Sequence, residues 1–522
     1  MPLIYQRLRA PQTDGESLQV PPSSEWATTL LNNELLFSGH AFTLAGTSID
    51  EVRRGARKDL IQAALEYTGR YREIFSRDAN APIVMAGHQP TLFHPGVWYK
   101  NFVLSRFAET VDAWAVNLVV DNDYNPSRSV AVPTGSLEQP KIEWLKYDSQ
   151  PANGPFETES LHSREVYSRF GKNVEKTLGA MVGPVVDDLL IKRLWPFAMA
   201  GLDLLGKPSL AVASGRHRLE QEFGLRTLEV PVSHFCRTQS FACFAAELIE
   251  RAPALKEVYN EQLLKYRQIH RIRSQSHPVP ELKEFDGWIE VPFWVWRSDS
   301  SLRRPLFVEI AKDVIKLTDL ADIALVLDRN SDMPSQIQEW EAQGVCLRTR
   351  ALTTTMYARL VLCDLFVHGI GGGKYDQLTD EIIREFWGAE PPAFSIVTAT
   401  HQLPIASTVF TKADVARLQN RLRDLNFHAE HFGDFADERF KSYAEKKTLH
   451  WQQIPQSGSK KDWHDEMNRI NGVLRQTLEK ERADLEREIQ ATRQAVQKSE
   501  LLSSREFSFC LFDEGIVASL SD

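Results

Sequence analysis

Short apolar runs, each followed at once by a polar or glycine-rich cluster, recur along this chain. The clearest run covers residues 83–86 and ends at Gly87-His88-Gln89-Pro90, and a helix is predicted to follow over 96–109. A run of this length is typical of a buried strand, and buried strands that alternate with helices predict a parallel α/β sheet. Ligands of such sheets bind outside the carboxyl ends of the strands, near a switch in strand order. The polar clusters therefore mark the candidate site.

The same pattern predicts six further strands, over residues 116–120, 209–213, 323–327, 344–347, 365–367 and 395–398. Helices are predicted over 49–75, 335–342, 353–362 and 378–387. The expected fold class is therefore α/β, with a parallel sheet core built from residues 51–220 and 306–410 after an irregular lead-in over 1–50. Residues 221–305 contain a predicted helix over 246–269 and an aromatic, strand-like stretch over 287–297. We interpret them as a connecting insertion.

The chain becomes charged and helical after about residue 410. Helices are predicted over 412–425 and 467–502. On the second helix, apolar residues recur at spacings of three, four or seven: Met467, Ile470, Leu474, Leu478, Leu485, Ile489 and Val496. This spacing predicts a helical coiled-coil hairpin over 411–504, which could close on its own chain or form a homodimer with a second copy. Apolar and polar residues alternate in part over 505–522, which predicts a strand that returns to the core.

Composition excludes several classes of protein. Apolar residues make up 43% and charged residues 25% of the 522 positions, as in ordinary globular proteins. The net charge of −9 argues against a general nucleic-acid-binding surface. The five cysteines form no CxxC pair, no apolar run is long enough for a membrane helix, and the first residues lack the apolar core of a signal peptide. We expect a cytoplasmic protein with a small-molecule substrate and neither a membrane nor a nucleic-acid partner.

The first polar cluster contains Gly87, His88 and Gln89, with Lys100 in the helix that follows. A strand, a glycine turn and a helix start leave backbone amides and a helix dipole that favour an anion. His88 could bind a phosphate or carboxylate, or act as a general acid or base. The alternative is that the glycine and proline only shape a turn.

The second cluster contains Asp121, Asn122, Asp123 and Asn125. Acidic residues at a strand end can bind a sugar hydroxyl, a substrate amine or a metal, but they also cap ordinary turns. The spacing gives little support for a metal, and no HExxH, zinc or GxSxG pattern occurs elsewhere. No metal site is predicted.

The third cluster lies between a predicted strand and a helix expected to start near Leu378. Its candidate site residues are His368, Gly369, Gly371, Gly372, Gly373, Tyr375 and Asp376. Successive glycine amides can cradle a phosphate or a carboxylate. The spacing matches neither the Walker A loop nor the dinucleotide fingerprint, so a flexible turn is the alternative. A weaker candidate is the 214–217 stretch, which contains Arg216 and His217.

The first cluster resembles a motif of the cysteine-adding enzymes of bacillithiol biosynthesis, the BshC-like family. In that family a strand leads into Thr-Gly-Gln-Gln, Leu-Phe, Gly-Pro and a lysine. Here the order is Ala86-Gly87-His88-Gln89, Leu92-Phe93, Pro95-Gly96 and Lys100. The family's Asp-His-Asp cluster is similar to residues 121–123, and its Gly-Gly-Pro-Gly-Glu turn is similar to residues 369–373. The C-terminal coiled coil and the total length also match. The substituted positions in all three clusters indicate a divergent member.

The resemblance implies a bacterial ligase with a Rossmann-like core that joins a cysteine-like carboxylate to a sugar-linked amine. The family pocket binds a glucosaminyl-malate acceptor. Gly87, His88, Gln89, Asp121, Asp123 and residues 369–373 would line it here, with His88 and Asp123 as the catalytic residues. Amide formation is uphill without activation, so ATP or another nucleotide is the candidate cofactor.

Two other functions stay open at this point. One is a nucleotidyltransferase-like, nucleotide-binding enzyme, which would need Mg²⁺, although the HxGH pattern is absent. The other is a non-catalytic binding or scaffold protein that uses its coiled coil to hold a partner.

Overall fold

A computed structural model describes residues 3, 5, 8–124, 127–152, 154–182, 188–405, 410–433 and 437–521. The strands are β1 (Ser17–Val20), β2 (Thr43–Leu44), β3 (Thr47–Ser48), β4 (Ile83–His88), β5 (Trp114–Val119), β6 (Ser129–Gly135), β7 (Pro140–Lys146), β8 (Leu228–Pro231), β9 (Glu284–Phe285), β10 (Trp288–Arg297), β11 (Arg304–Ile310), β12 (Val314–Thr318), β13 (Ala324–Asp328), β14 (Val345–Thr349), β15 (Leu365–His368) and β16 (Phe394–Ala399).

The helices are α1 (Trp26–Ser38), α2 (Ile49–Gly69), α3 (Pro95–Thr110), α4 (Arg164–Val182), α5 (Leu190–Leu205), α6 (Pro208–Glu222), α7 (Val232–Phe235), α8 (Gln239–Glu250), α9 (Ala252–Ile269), α10 (Met333–Ala342), α11 (Ala351–Tyr357), α12 (Ile370–Trp387), α13 (Lys412–Phe427), α14 (Glu438–Gln452), α15 (Lys461–Thr477), α16 (Glu479–Leu502) and α17 (Ile516–Ser521). Among the described residues, no helix combines the length and the apolar character that crossing a bilayer requires.

A six-stranded, mostly parallel sheet has the order β1-β16-β15-β4-β5-β8. Its five strands from β16 to β8 are parallel, and β1 pairs antiparallel with β16. Val84, Met85 and Val116 are fully buried, as expected of strands covered on both faces. The prediction of an α/β fold with a mostly parallel sheet is confirmed. The order of the strands along the chain reverses between β4 and β15.

A second, antiparallel sheet has the order β13-β12-β11-β10-β14, with β9 paired to β10. The predicted strands at 323–327 and 344–347 belong to this sheet, so their expected place in the parallel core was wrong. β8 departs from the prediction in the opposite sense. It lies in the expected insertion, residues 221–305, yet forms an edge of the parallel sheet. A short apolar run indicates a strand but does not identify its partner.

Several sequence predictions of local structure were wrong. The lead-in over 1–50, expected to be irregular, contains β1, an edge strand of the six-stranded sheet, and the helix α1. The predicted strand at 209–213 lies in α6, which begins at Pro208, a residue well suited to the first turn of a helix. Residues 505–520 form a 3₁₀ turn, Phe509–Leu511, and α17 in place of a strand. The helix predicted over 467–502 is two helices, α15 and α16, which meet at Leu478.

The chain divides into two units. The first comprises residues 1–134, 142–402 and 505–522 and contains both large sheets. Its core includes Phe241, Phe293, Tyr357 and Leu378, all fully buried.

The second unit comprises residues 135–141 and 403–504. Within it α13 packs on α16 and α14 packs on α15. Leu418 of α13 is buried against Leu485 and Ile489 of α16, and Ile470, Leu474 and Leu478 belong to a second apolar cluster, so five of the seven apolar positions read from the sequence pack within this unit.

Candidate functional site

A cavity of about 990 Å³ lies at the carboxyl ends of the parallel strands, inside the first unit. Gly87 and His88 end β4, His368 ends β15, and Thr398 lies near the end of β16, and all four line this cavity. Because β4 and β15 are the neighbours at which the strand order reverses, the cavity occupies the position where α/β sheets bind ligands. We call it the main cavity.

His368 is held by a carboxylate behind it. Its Nε2 lies 2.7 Å from Oδ2 of Asp376, which also accepts a hydrogen bond from Nη1 of Arg359 at 2.8 Å. Thr355 donates to the other oxygen of Asp376 at 2.7 Å. Arg359 is itself paired with Asp380 at 2.6 Å. These contacts fix the orientation of the imidazole at the cavity wall.

The protonation of this pair follows from its surroundings. Burial, together with Arg359 and Lys100, lowers the pKa of His368 below its ordinary value, although the adjacent Asp376 raises it in part. Burial raises the pKa of Asp376, but Arg359 and His368 outweigh that effect and hold the pKa well below its usual range. A neutral imidazole beside an ionised carboxylate donates Nε2–H to it, which leaves the lone pair on Nδ1. This is the arrangement of a general base with an orienting acid.

The glycine cluster after β15 is the first turn of a helix, since α12 begins at Ile370 and not near Leu378 as predicted. A Cβ on Gly372 would lie 2.7 Å from Nδ1 of His368, and a Cβ on Gly373 would overlap the side chain of Ile396. Gly371, by contrast, faces open space and lines the main cavity. The glycines let α12 lie close against the strand ends, with its N-terminus at the cavity.

Cations outnumber anions around the main cavity. Arg9, Lys100, Lys374 and Arg505 line it, with Glu506 as the acidic residue. Nη2 of Arg505 donates to Thr398 and to the carbonyl of Ala399, both at 3.0 Å. The N-terminus of α12, which has no side-chain cap, adds partial positive charge. The cavity therefore favours an anionic ligand.

Lys100 is only 5% exposed, and its Nζ donates to the carbonyl of Gly87 at 2.6 Å. Burial, together with nearby Arg216, lowers the pKa of Lys100 to about 7. The amine of Lys100 is therefore partly deprotonated near neutral pH, whereas the amine of a surface lysine is protonated.

His88 has a different environment from His368. Its Nδ1 lies 3.2 Å from the carbonyl of Gln89, and its buried Nε2 has no hydrogen-bond partner in the described part of the chain. Burial lowers its pKa well below the ordinary value, and Arg216 and Lys100 lower it further. The ring stays neutral, and no carboxylate orients it as Asp376 orients His368.

The weaker candidates Arg216 and His217 lie on α6 in a buried charge network. Arg216 is paired with Glu220 and Glu229, and His217 is hydrogen-bonded to Tyr71 at 2.8 Å. Burial, with Arg72 and Arg216, holds the pKa of His217 well below its ordinary value, so only Arg216 carries a charge, and neither residue lines the main cavity.

The residues of the acidic cluster after β5 lie in two different environments. Asp121 is buried and accepts hydrogen bonds from the backbone and the hydroxyl of Ser233, and burial and Glu157 raise its pKa to about 7. Asn122 and Asp123 line a smaller chamber of about 220 Å³. Gln89 donates to Asp123 at 2.5 Å. Asn125 lies outside the described residues.

The main cavity thus brings together seven of the predicted residues: Gly87, His88, Lys100, His368, Gly369, Gly371 and Gly372. Asp376 stands behind His368, and the ring of Tyr375 lies against that of His277. Sequence reasoning missed Arg9, Thr398 and Arg505. Only Thr398, at a predicted strand end, carried a signal that could have been used.

No group of three or more histidine, cysteine or acidic side chains that could hold a metal occurs among the residues described above. A scan against protein-family models and a search of curated proteins both found no match for this chain.

Proposed function

We propose that this protein is a divergent ligase of the cysteine-adding type, which joins an amino-acid carboxylate to the amine of a sugar-linked acid in the main cavity. The observation that carries the proposal is the His368–Asp376 pair at the wall of a cation-lined cavity. The motif resemblance around Gly87, Asp123 and Gly371 supports the same function. The proposal includes a Rossmann-like core, because the parallel strands have the order β8-β5-β4-β15-β16, which is 3-2-1-4-5 in chain sequence.

His368 replaces His88 as the proposed general base. An amine attacks a carbonyl carbon only as the free base, and its nitrogen becomes positively charged as the new C–N bond forms, so it must then lose a further proton to become an amide. Nδ1 of His368 takes that proton, and Asp376 stabilises the resulting imidazolium without itself becoming protonated. The leaving group of the activated carboxylate departs with the electron pair of its bond to the carbonyl carbon.

The charge of the main cavity suits an acceptor that carries carboxylates. Glucosaminyl-malate has two of them and one amine. Lys374 and Arg505, with the first turn of α12, are the proposed contacts for the malate part. Lys100, with a pKa near neutrality, can give or take a proton beside the reacting groups.

Activation of the carboxylate needs an energy source, and ATP or another nucleotide remains the proposed one. The cationic lining and the helix N-terminus fit a phosphate group as well as a carboxylate. A bound nucleotide would supply the leaving group. A homodimer through the helices of the second unit and a cytoplasmic location stay predictions.

Ligand-induced stabilisation of the purified full chain tests the proposal. Glucosaminyl-malate at 100 times its Kd should stabilise the wild type by about 2.7 kcal/mol, and glucosamine, which lacks the carboxylates, should not. Lys374→Gln should weaken glucosaminyl-malate binding about 10- to 100-fold, since a charged hydrogen bond is worth about 1.5–3 kcal/mol. Lys312→Gln, on an exposed turn before β12, is the matched control. Equal shifts in wild type and Lys374→Gln, or no shift with glucosaminyl-malate, would contradict the proposal.

A further inference from the structure

A second chamber adjoins the main cavity. It has a volume of about 220 Å³, against about 990 Å³ for the main cavity, and Val120, Ala351 and Thr354 line both. At ~30 Å³ per water molecule the chamber has room for about seven waters, which is the size of a small α-amino acid and well below that of a sugar-linked acid. Both spaces lie in the first unit.

The chamber carries groups of both charges. Asp123, Arg303 and Arg350 all line it. The two guanidinium groups lie over the ring of Trp294, at 4.8 and 4.3 Å from its centroid. Arg303 donates to Asp123 at 3.0 Å, and Arg350 is paired with Glu290 at 2.7 Å. The lining therefore offers a carboxylate and two oriented cations within one small space.

Two buried polar groups in this lining lack partners. Asn122 is 3% exposed and donates from Nδ2 to the carbonyl of Thr349 at 2.8 Å, while its Oδ1 has no hydrogen-bond partner within the described residues. Nε of Arg350 is likewise buried and unpartnered there. Buried polar groups are usually hydrogen-bonded, and here two residues of the lining keep an unsatisfied acceptor and an unsatisfied donor, which a ligand with the complementary pair would satisfy.

We propose that this chamber binds the α-amino-acid substrate as a zwitterion, with its ammonium group at Asp123 and Asn122 and its carboxylate towards Arg350 and the wall shared with the main cavity. An α-amino acid carries a donor and an acceptor on one carbon, which matches the lining. Val120, Ala351 and Thr354 line both spaces, so this carboxylate would lie next to the space where the sugar amine binds. The assignment rests on the proposed ligase function for its reaction, but the binding site is testable without it.

Calorimetric titration of the full chain with L-cysteine, L-serine and L-alanine tests the binding site. Two probes each lack one group: 3-mercaptopropionate has no ammonium, and cysteamine has no carboxylate. We expect at least one of the three amino acids to bind, and both probes to bind at least tenfold more weakly than L-cysteine. Binding of either probe as tight as that of L-cysteine, or no binding of any amino acid, would overturn the proposal.

Two variants locate the binding. Asp123→Asn keeps the size of the side chain and removes its charge, and should weaken amino-acid binding at least tenfold. Asp299→Asn, on the exposed turn after β10, is the control.

Val279→Phe should fill the chamber from its loop and abolish amino-acid binding while glucosaminyl-malate binding persists, because Val279 lines the chamber and not the main cavity. Unchanged amino-acid affinity in both variants would overturn the assignment even if the ligase reaction occurs. Amino-acid binding that both variants lose, without any amide product, would uphold the chamber and refute the ligase.

Discussion

At the residue scale, the site depends on which histidine has a carboxylate behind it. The sequence contained His88 and His368 in equivalent positions after strands, and the family resemblance favoured His88. The deciding contact, from His368 to Asp376, joins residues eight positions apart across the start of α12. That pairing could not be predicted while the glycine cluster was taken for a loop, because it needs helical geometry to bring Asp376 back over the strand end.

The pH dependence of the reaction distinguishes a base from a structural histidine. On the acidic side, the rate should rise with pH as His368 loses its proton, and burial holds the pKa of His368 below the ordinary 6.5. Asp376→Asn removes the charge that raises this pKa, so the acidic limb should move to lower pH while the maximal rate falls about 10²- to 10⁴-fold. Steady-state rates between pH 4 and 9 measure both effects. If the rate falls but the acidic limb of the pH profile stays at the same pH, Asp376 only supports the fold.

At the scale of elements, four strands of the parallel sheet were predictable, β8 was not, and neither were the partners of the strands. Residues 83–86, 116–120, 365–367 and 395–398 form strands of the parallel sheet, as expected, because runs buried on both faces are apolar throughout. The runs that became β13 and β14 have the same appearance but pair antiparallel in another sheet. Pairing depends on contacts far apart in the sequence, which a local pattern does not contain.

Three adjacent glycines of α12 provide a graded test of how this helix positions the site. Gly371→Ala should leave stability nearly unchanged, since its Cβ meets open space. Gly373→Ala should destabilise the fold by about 1–3 kcal/mol, because the added methyl overlaps Ile396. Gly372→Ala should displace His368 and lower kcat with a smaller loss of stability. Denaturant unfolding and steady-state kinetics on the three variants measure this order. Equal effects in all three would show that close packing of α12 is not what positions His368.

At the scale of the whole molecule, the chain combines a sheet-containing unit that holds both cavities with a helical unit that has its own core. The main cavity draws on segments far apart in sequence, since Arg9, Lys100, His368 and Arg505 all line it. The sequence indicated only the parts of this site that follow strands. Arg9 lies before β1, in the segment that was expected to be irregular. Arg505 lies in the segment that was wrongly predicted as a strand. The positions of both side chains therefore depend on tertiary folding.

The most direct test of the central claim is product formation. Purified protein is incubated with glucosaminyl-malate, ATP, Mg²⁺ and L-cysteine labelled with ¹⁵N, and the mixture is analysed by mass spectrometry. The wild type should form an amide that contains both substrates, and His368→Asn should form it at least about 100-fold more slowly, while His431→Asn in the second unit should match the wild type. Absence of the amide with the wild type, or an undiminished rate in His368→Asn, would contradict the assignment of the main cavity as a ligase active site.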